Sequence, residues 1–161
     1  NTDMGTDMDT DVDMDNDTVV RLSELENIVG IKDATGDLSR VPDYKARCPQ
    51  DFAIYSGDDP TAMELMLAGG HGNVSVTANI APRPLADVCR LALEGKRPEA
   101  ALINDRLSGL NRALFLEANP IPVKWAMQQR GLIEAGIRLP LTPLDERFHA
   151  QVLAALEAAG I

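Results

Sequence analysis

Between Thr18 and Pro82, short apolar runs alternate with stretches whose apolar residues return every three or four positions. Val and Leu in Thr18–Leu25 have helical spacing, and Asn27–Ile31 follows as a strand. A helix opens over Asp37–Val41, capped from the turn Thr35-Gly36-Asp37, although Pro42 blurs its boundary. Phe52–Ser56 predicts a second strand, Pro60–Leu67 a second helix ended by Gly69-Gly70, and Asn73–Val76 a third strand. A helix between each pair of strands is the βα rhythm of a parallel sheet, so the fold class read from the pattern is α/β.

Beyond Pro82 the texture becomes wholly helical. Pro84–Leu93 puts Leu85, Val88, Cys89 and Leu93 on one face, and Pro98–Phe115 repeats this with Leu102, Ile103, Leu107, Leu110 and Leu114. A stiff Asn-Pro-Ile-Pro segment leads into a short helix with Trp125, and Pro140–Pro143 links it to a last helix, Leu144–Ala159. No solenoid repeat is present, and these helices are expected to form a bundle. The divisions read are 1–17, 18–96 and 97–161.

Residues 1–17 break the pattern: they hold seven aspartates and three of the six methionines, with no positive side chain. Asp is depleted in strands and like charges repel along one face, so the segment reads as disordered. Asp13, Asp15, Asp17 and Glu24 fall at positions 1, 3, 5 and 12 of an EF-hand loop, but Thr18 replaces the turn glycine and Arg21 occupies position 9. A solvated acidic segment is the preferred reading, with no metal site.

The net charge of -10 argues against nucleic-acid or anionic-membrane partners, since both need a positive surface. Cys48 and Cys89 have no zinc or disulfide spacing, and no run approaches a membrane span. A cytoplasmic setting is expected, with no leader segment.

Function in parallel α/β sheets gathers where strands end and loops lead into helices. Three such ends are Lys32–Gly36, Ser56–Asp59 and Ser75–Asn79. Lys32 closes an apolar run. Buried there, its ammonium form would lose hydration and its pKa would fall, making a neutral amine available to attack a carbonyl and form a Schiff base. Alternatively Lys32 snorkels out or pairs with Asp33 or Asp37. Position alone leaves both open. Gly57 gives a tight turn and lets a ligand approach the backbone, though a plain turn glycine explains it as well. Gly69-Gly70-His71-Gly72 reads as a helix cap plus turn, and His71 and His149 as structural or exposed. Ser56 lacks a base partner and a nucleophile elbow, which removes a serine-hydrolase reading.

Four motifs in order, Gly30–Leu38 (GIKDATGDL), Ser56–Asp59 (SGDD), Gly69–Asn79 (GGHGNVSVTAN) and Asn119–Trp125 (NPIPVKW), closely resemble the dihydrodipicolinate synthase family. That family belongs with N-acetylneuraminate lyase to the pyruvate-dependent class I aldolases. The resemblance covers Thr18 to Ile161. It implies the C-terminal part of a TIM (β/α)8 barrel, about three βα units, followed by a C-terminal helical bundle. It also implies that Lys32 is the Schiff-base lysine, with Gly57 and Val74 lining the pyruvate pocket largely through backbone.

The implied reaction condenses pyruvate with aspartate semialdehyde in lysine (diaminopimelate) biosynthesis, with no metal or organic cofactor, in a homo-oligomer. The alternatives are N-acetylneuraminate lyase, another keto-acid aldolase, or a non-catalytic half-barrel that associates through strand edges. The sequence corresponds to the C-terminal half of a family member. The family's fifth-strand tyrosine and arginine, counted back without gaps, fall on Met4 and Asp9, which cannot relay a proton or hold a carboxylate. The expected consequence is an impaired enzyme and a marginal monomer with exposed strand edges.

Overall fold

The computed structural model of the chain describes residues 13–161, so Met4 and Asp9 lie outside the described residues, as does most of the acidic segment. The elements run α1 (Asn16–Ser23), β1 (Gly30–Asp33), α2 (Arg40–Arg47), β2 (Ala53–Ser56), α3 (Ala62–Leu67), β3 (Gly72–Asn73), α4 (Pro82–Leu93), α5 (Arg97–Ala113), α6 (Ile121–Gln129) and α7 (His149–Ala158). The strands form one parallel sheet in the order β1-β2-β3, each joined to the next through a helix. This is the expected βα alternation followed by helices.

The described residues cover the sheet on one face only. Ile31 and Ile54 pair in register and pack with Val41, Tyr44, Phe52 and Leu65 against α1, α2 and α3. Side chains alternate along a strand, so Lys32 and Tyr55, the next pair, point to the opposite face, and both are exposed. Among the described residues, the outer edges of β1 and β3 have no strand partner.

A larger cluster joins α3 and α4 to α5, α6 and α7 through residues such as Val88, Leu107, Leu110, Leu114, Val152 and Leu156. The boundary read at 96/97 therefore falls within a continuous apolar core. The predicted faces of α4 and α5 turn inward at Leu85, Val88, Leu107, Leu110 and Leu114, whereas Leu93 and Leu102 sit on the surface.

Several boundaries differ from expectation: the first strand, read at Asn27–Ile31, runs Gly30–Asp33, so that Lys32 lies within it. The helix placed at Thr18–Leu25 starts at Asn16, because Asp15 accepts a hydrogen bond from the Thr18 N–H at 2.7 Å and caps it. Residues 13–17 are consequently ordered rather than disordered, although their aspartates stay exposed to solvent: Asp13 pairs with the buried Arg40 and Asp17 with Arg47. The same helix runs through the EF-hand-like spacing, and no group of three metal-ligating side chains occurs among the described residues. Residues Asp37–Ser39 form a turn, closed by Asp37 accepting from Ser39, and α2 starts after it at Arg40. The third strand is only Gly72–Asn73, after which the chain coils into a 3-10 turn over Thr77–Asn79. The last helix starts at His149, behind a 3-10 turn over Glu146–Phe148.

The larger core makes the first test. Leu110 is 0% exposed and Leu102 is 71% exposed on the same helix. Leu110→Ala is expected to cost about 2–5 kcal/mol and Leu102→Ala less than about 0.5 kcal/mol by urea unfolding. Equal midpoints for the two variants would contradict this assignment of the core.

Candidate functional site

The carboxyl ends of the three strands converge, and two buried carboxylates hold them. Asp33 ends β1 and accepts from the backbone N–H and hydroxyl of Thr35 at 2.9 and 2.6 Å, and from the Tyr44 hydroxyl at 3.1 Å. The guanidinium of Arg40 lies 3.4 Å away and continues to Asn16 and Asp13, tying α1 to the end of β1. Burial, then the adjacent Asp33 charge, pushes the Tyr44 phenol well above its ordinary value, so it stays a hydrogen-bond donor.

Asp59, beyond β2, is 3% exposed. It accepts from the Asn73 amide at 2.8 Å and from the backbone N–H groups of Val76 and Thr77 at 3.0 and 2.9 Å. These last two bonds explain the shortened third strand: Asp59 captures N–H groups that a longer ladder would have used. Thr77 then donates through its hydroxyl to Asn111 of α5 at 2.7 Å, inside the protein. Burial, with Asp59 as the second cause, also raises the Cys89 thiol, which keeps it a poor nucleophile.

Lys32, Gly57 and Val74 all lie at this end of the sheet, Lys32 against Gly57 and Val74 beside β2. The Gly57 N–H donates to the Asp33 carbonyl at 2.7 Å and the Val74 N–H to the Ser56 carbonyl at 2.8 Å, extending the ladder past the strands. The Lys32 stem lies across the bare Cα of Gly57: a Cβ there would come 2.5 Å from Lys32 Cε and 2.8 Å from Ala34 Cβ. Gly57 is therefore more than a turn residue, since the lysine occupies the space its missing side chain leaves. Ser56 is turned inward, its hydroxyl donating to the Asp58 carbonyl and accepting from the Asp58 N–H.

Burial of Lys32 is not found. The side chain is exposed because β1 is an edge strand and no described residue faces it across the sheet. Val74 is 52% exposed for the same reason. Neither Asp33 nor Asp37 makes an ion pair with Lys32 among the described residues; Asp33 is committed to Tyr44, Thr35 and Arg40. The two histidines are structural, as expected. His71 Nδ1 accepts from the Ile54 N–H, and His149 stacks on Trp125 with ring centroids 4.3 Å apart.

Asp33, Asp59, Tyr44 and Thr77 were not singled out by sequence reasoning. A signal existed for the carboxylates: each closes or follows a strand just where exposed backbone N–H groups need acceptors.

Parallel βα units with a lysine presented at the carboxyl end of the sheet define a segment of a (β/α)-barrel protein. The profile described as the dihydrodipicolinate synthetase family matches residues 5–159, and the chain belongs to that family. A 4-hydroxy-tetrahydrodipicolinate synthase of Thioalkalivibrio sulfidiphilus is 62% identical over 146 residues, covering 91% of this chain and 50% of that protein. Among solved structures, the chloride-inhibited dihydrodipicolinate synthase of Acinetobacter baumannii complexed with pyruvate is 53% identical, with a TM-score of 0.87, covering 91% of this chain and 50% of that one. The 4-hydroxy-tetrahydrodipicolinate synthase of Methylacidiphilum fumariolicum has a TM-score of 0.88 at 41% identity, with 92% and 50% covered. The chain thus spans about half the length of the relatives it matches. Residues 5–17 fall within the family match, which the motifs alone placed from Thr18 onward.

Tyr44 makes the second test. In a Tyr55→Phe background it is the sole tyrosine. Its raised phenol is expected to stay protonated in the folded protein above about 10, the ordinary value. The stability it contributes is full below that value and is lost as pH rises toward the raised one, because the unfolded chain releases this proton first. Ultraviolet absorbance showing ionisation at the ordinary value while circular dichroism remains native would contradict the Asp33–Tyr44 geometry.

Proposed function

We propose that this chain carries the Schiff-base-forming half of a 4-hydroxy-tetrahydrodipicolinate synthase. The observation that carries the reading is the Lys32 stem laid over the bare Gly57 Cα at the carboxyl end of a parallel sheet. Lys32 Nζ, as the neutral amine, adds to the ketone carbon of pyruvate. Loss of water leaves an imine, and loss of a methyl proton gives the enamine. The enamine carbon attacks the aldehyde carbon of aspartate semialdehyde. The amino group of that substrate then closes the ring on the imine carbon and frees Lys32. The imine is itself the electron sink, so the steps require no metal or organic cofactor. Gly57 and Val74 are the proposed walls of the pyruvate pocket, and the setting is a reducing cytoplasm.

The names of the relatives favour the synthase over N-acetylneuraminate lyase or another keto-acid aldolase. Positioned acids and bases typically contribute about 10²–10⁴-fold each, and among the described residues the open face of the sheet supplies none opposite Lys32. Slow covalent capture of pyruvate with negligible turnover is therefore expected of the chain alone. Borohydride with pyruvate should label Lys32, Lys32→Ala should abolish the labelling, and Gly57→Ala, by displacing the lysine stem, should slow it. Equal labelling of Lys45, Lys96 and Lys124 would remove Lys32 from its proposed role.

A second reading concerns assembly. Val29 is 75% and Tyr55 40% exposed, and the outer edges of β1 and β3 are unpaired among the described residues. A half-barrel of this shape is expected to close its sheet against another chain, and two copies meeting edge to edge form a homo-oligomer. Sedimentation at micromolar concentration should find a species larger than the monomer. A compact monomer across the whole dilution range would count against this reading.

A further inference from the structure

Away from the strand ends, a cleft of about 340 Å³ opens between α6, the start of α7 and the segment between them. Pockets for small molecules start at about this size and combine an apolar lining with a few fixed polar groups. Ile121, Ile137 and Leu144 give the cleft its apolar walls, and Trp125 forms a rigid side. The indole is held by the His149 ring, stacked at 18° from parallel, while the imidazole Nε2–H donates to the Leu144 carbonyl at 3.1 Å. The wall is therefore built before any ligand arrives, which lowers the ordering cost of binding.

Two opposite charges line the same cleft, Lys124 and Glu146. They are not within 4.0 Å of each other, and among the described residues neither forms an ion pair with any other side chain. Lys124 is half-buried, its stem packed into the cleft wall, and its ammonium has no carboxylate partner among the described residues. The neighbouring carboxylate Asp145 is taken by Arg147, and Glu117 accepts from the Asp145 N–H, which leaves Glu146 uncommitted.

From this arrangement we infer that the cleft binds a small zwitterion, an α-amino acid with an aliphatic side chain. Its carboxylate meets Lys124, its ammonium faces Glu146, and its side chain lies on Ile121, Leu144 and the Trp125 face. The pair of charges also sets the discrimination. A plain carboxylate gains Lys124 but meets the repulsion of Glu146, and a plain amine the reverse. This inference stands independently of the chemistry assigned to Lys32.

Trp125 is the only tryptophan in the chain, so its fluorescence reports on this cleft alone. The probe is L-leucine, titrated into the full chain, with 4-methylpentanoate and 3-methylbutylamine as analogues that each lack one of its charges. Saturable change in Trp125 emission is expected with leucine. Binding should weaken about tenfold or more in Lys124→Gln, in Glu146→Gln and for each analogue, as loss of one charged contact requires. Lys124→Arg should keep most of the response. No saturable change with leucine overturns the proposal. So do analogues that match leucine, or glutamine variants that bind it as the parent does.

Discussion

A parallel sheet ends every strand on the same side, and there the backbone must leave the ladder without stranding its N–H groups in the interior. In this chain Asp59 meets that constraint for the last two strands. A carboxylate buried to this depth is costly unless several donors converge on it. Three do: the Asn73 amide and the N–H groups of Val76 and Thr77. The capture bends the chain after Asn73 into a 3-10 turn and presents the Thr77 hydroxyl to Asn111. The sheet is thereby tied to α5, and through α5 to the helical core. Asp33 acts in parallel at β1, reaching Tyr44 on α2 and, through Arg40, the start of α1. Both carboxylates lie next to the strand ends that hold Lys32 and Gly57, so the same groups that let the fold turn also fix the ground on which the chemistry would stand.

The exposure of Lys32 follows from geometry rather than from its neighbours in sequence. Along β1 the alternation sends Ile31 and Asp33 toward the helices and Lys32 to the other face. In a closed barrel that other face is interior, filled by side chains from strands across the axis. The described residues form three strands and no opposite wall, so the inward-facing residues Lys32 and Tyr55 meet solvent. The apolar run around Lys32 is therefore informative about a complete barrel, whereas the local environment of the lysine is set by how much of the barrel is present.

Much of the element order was legible from period alone, because buried helices and strands must repeat their apolar residues at 3.6 or 2 positions. Lys32 and Gly57 stand out by their position at strand ends, Val74 is added by the motif resemblance, and all three lie at one end of the sheet. What the pattern missed was polar. Asp33, Asp59 and Thr77 have no apolar period, and a hydrophilic residue in a loop looks the same whether it faces water or caps buried backbone. The third strand was read too long for that reason: Asn73-Val74-Ser75-Val76 has strand-like residues, but Asp59, fourteen positions before Asn73, competes for its N–H groups. The acidic segment was misread in its last five residues by the same route. Asp13 and Asp17 look like members of a uniform charge run until Arg40 and Arg47, more than twenty residues on, are folded against them.

Long-range pairing of this kind also separates what fixes Lys32 from what would make it fast. The backbone ladder from Asp33 to Gly57 and the bare Gly57 Cα set where the lysine stem lies, and both are contained within residues 32–57. In the proposed reaction, enclosure, proton transfer and a second-substrate anchor would require groups opposite the open face, on a wall that the described residues do not provide. Position and reactivity are thus carried by different parts of a barrel. A segment holding three parallel strands retains the first because βα units are stabilised mainly by contacts with their immediate neighbours, while the second depends on closure of the whole ring.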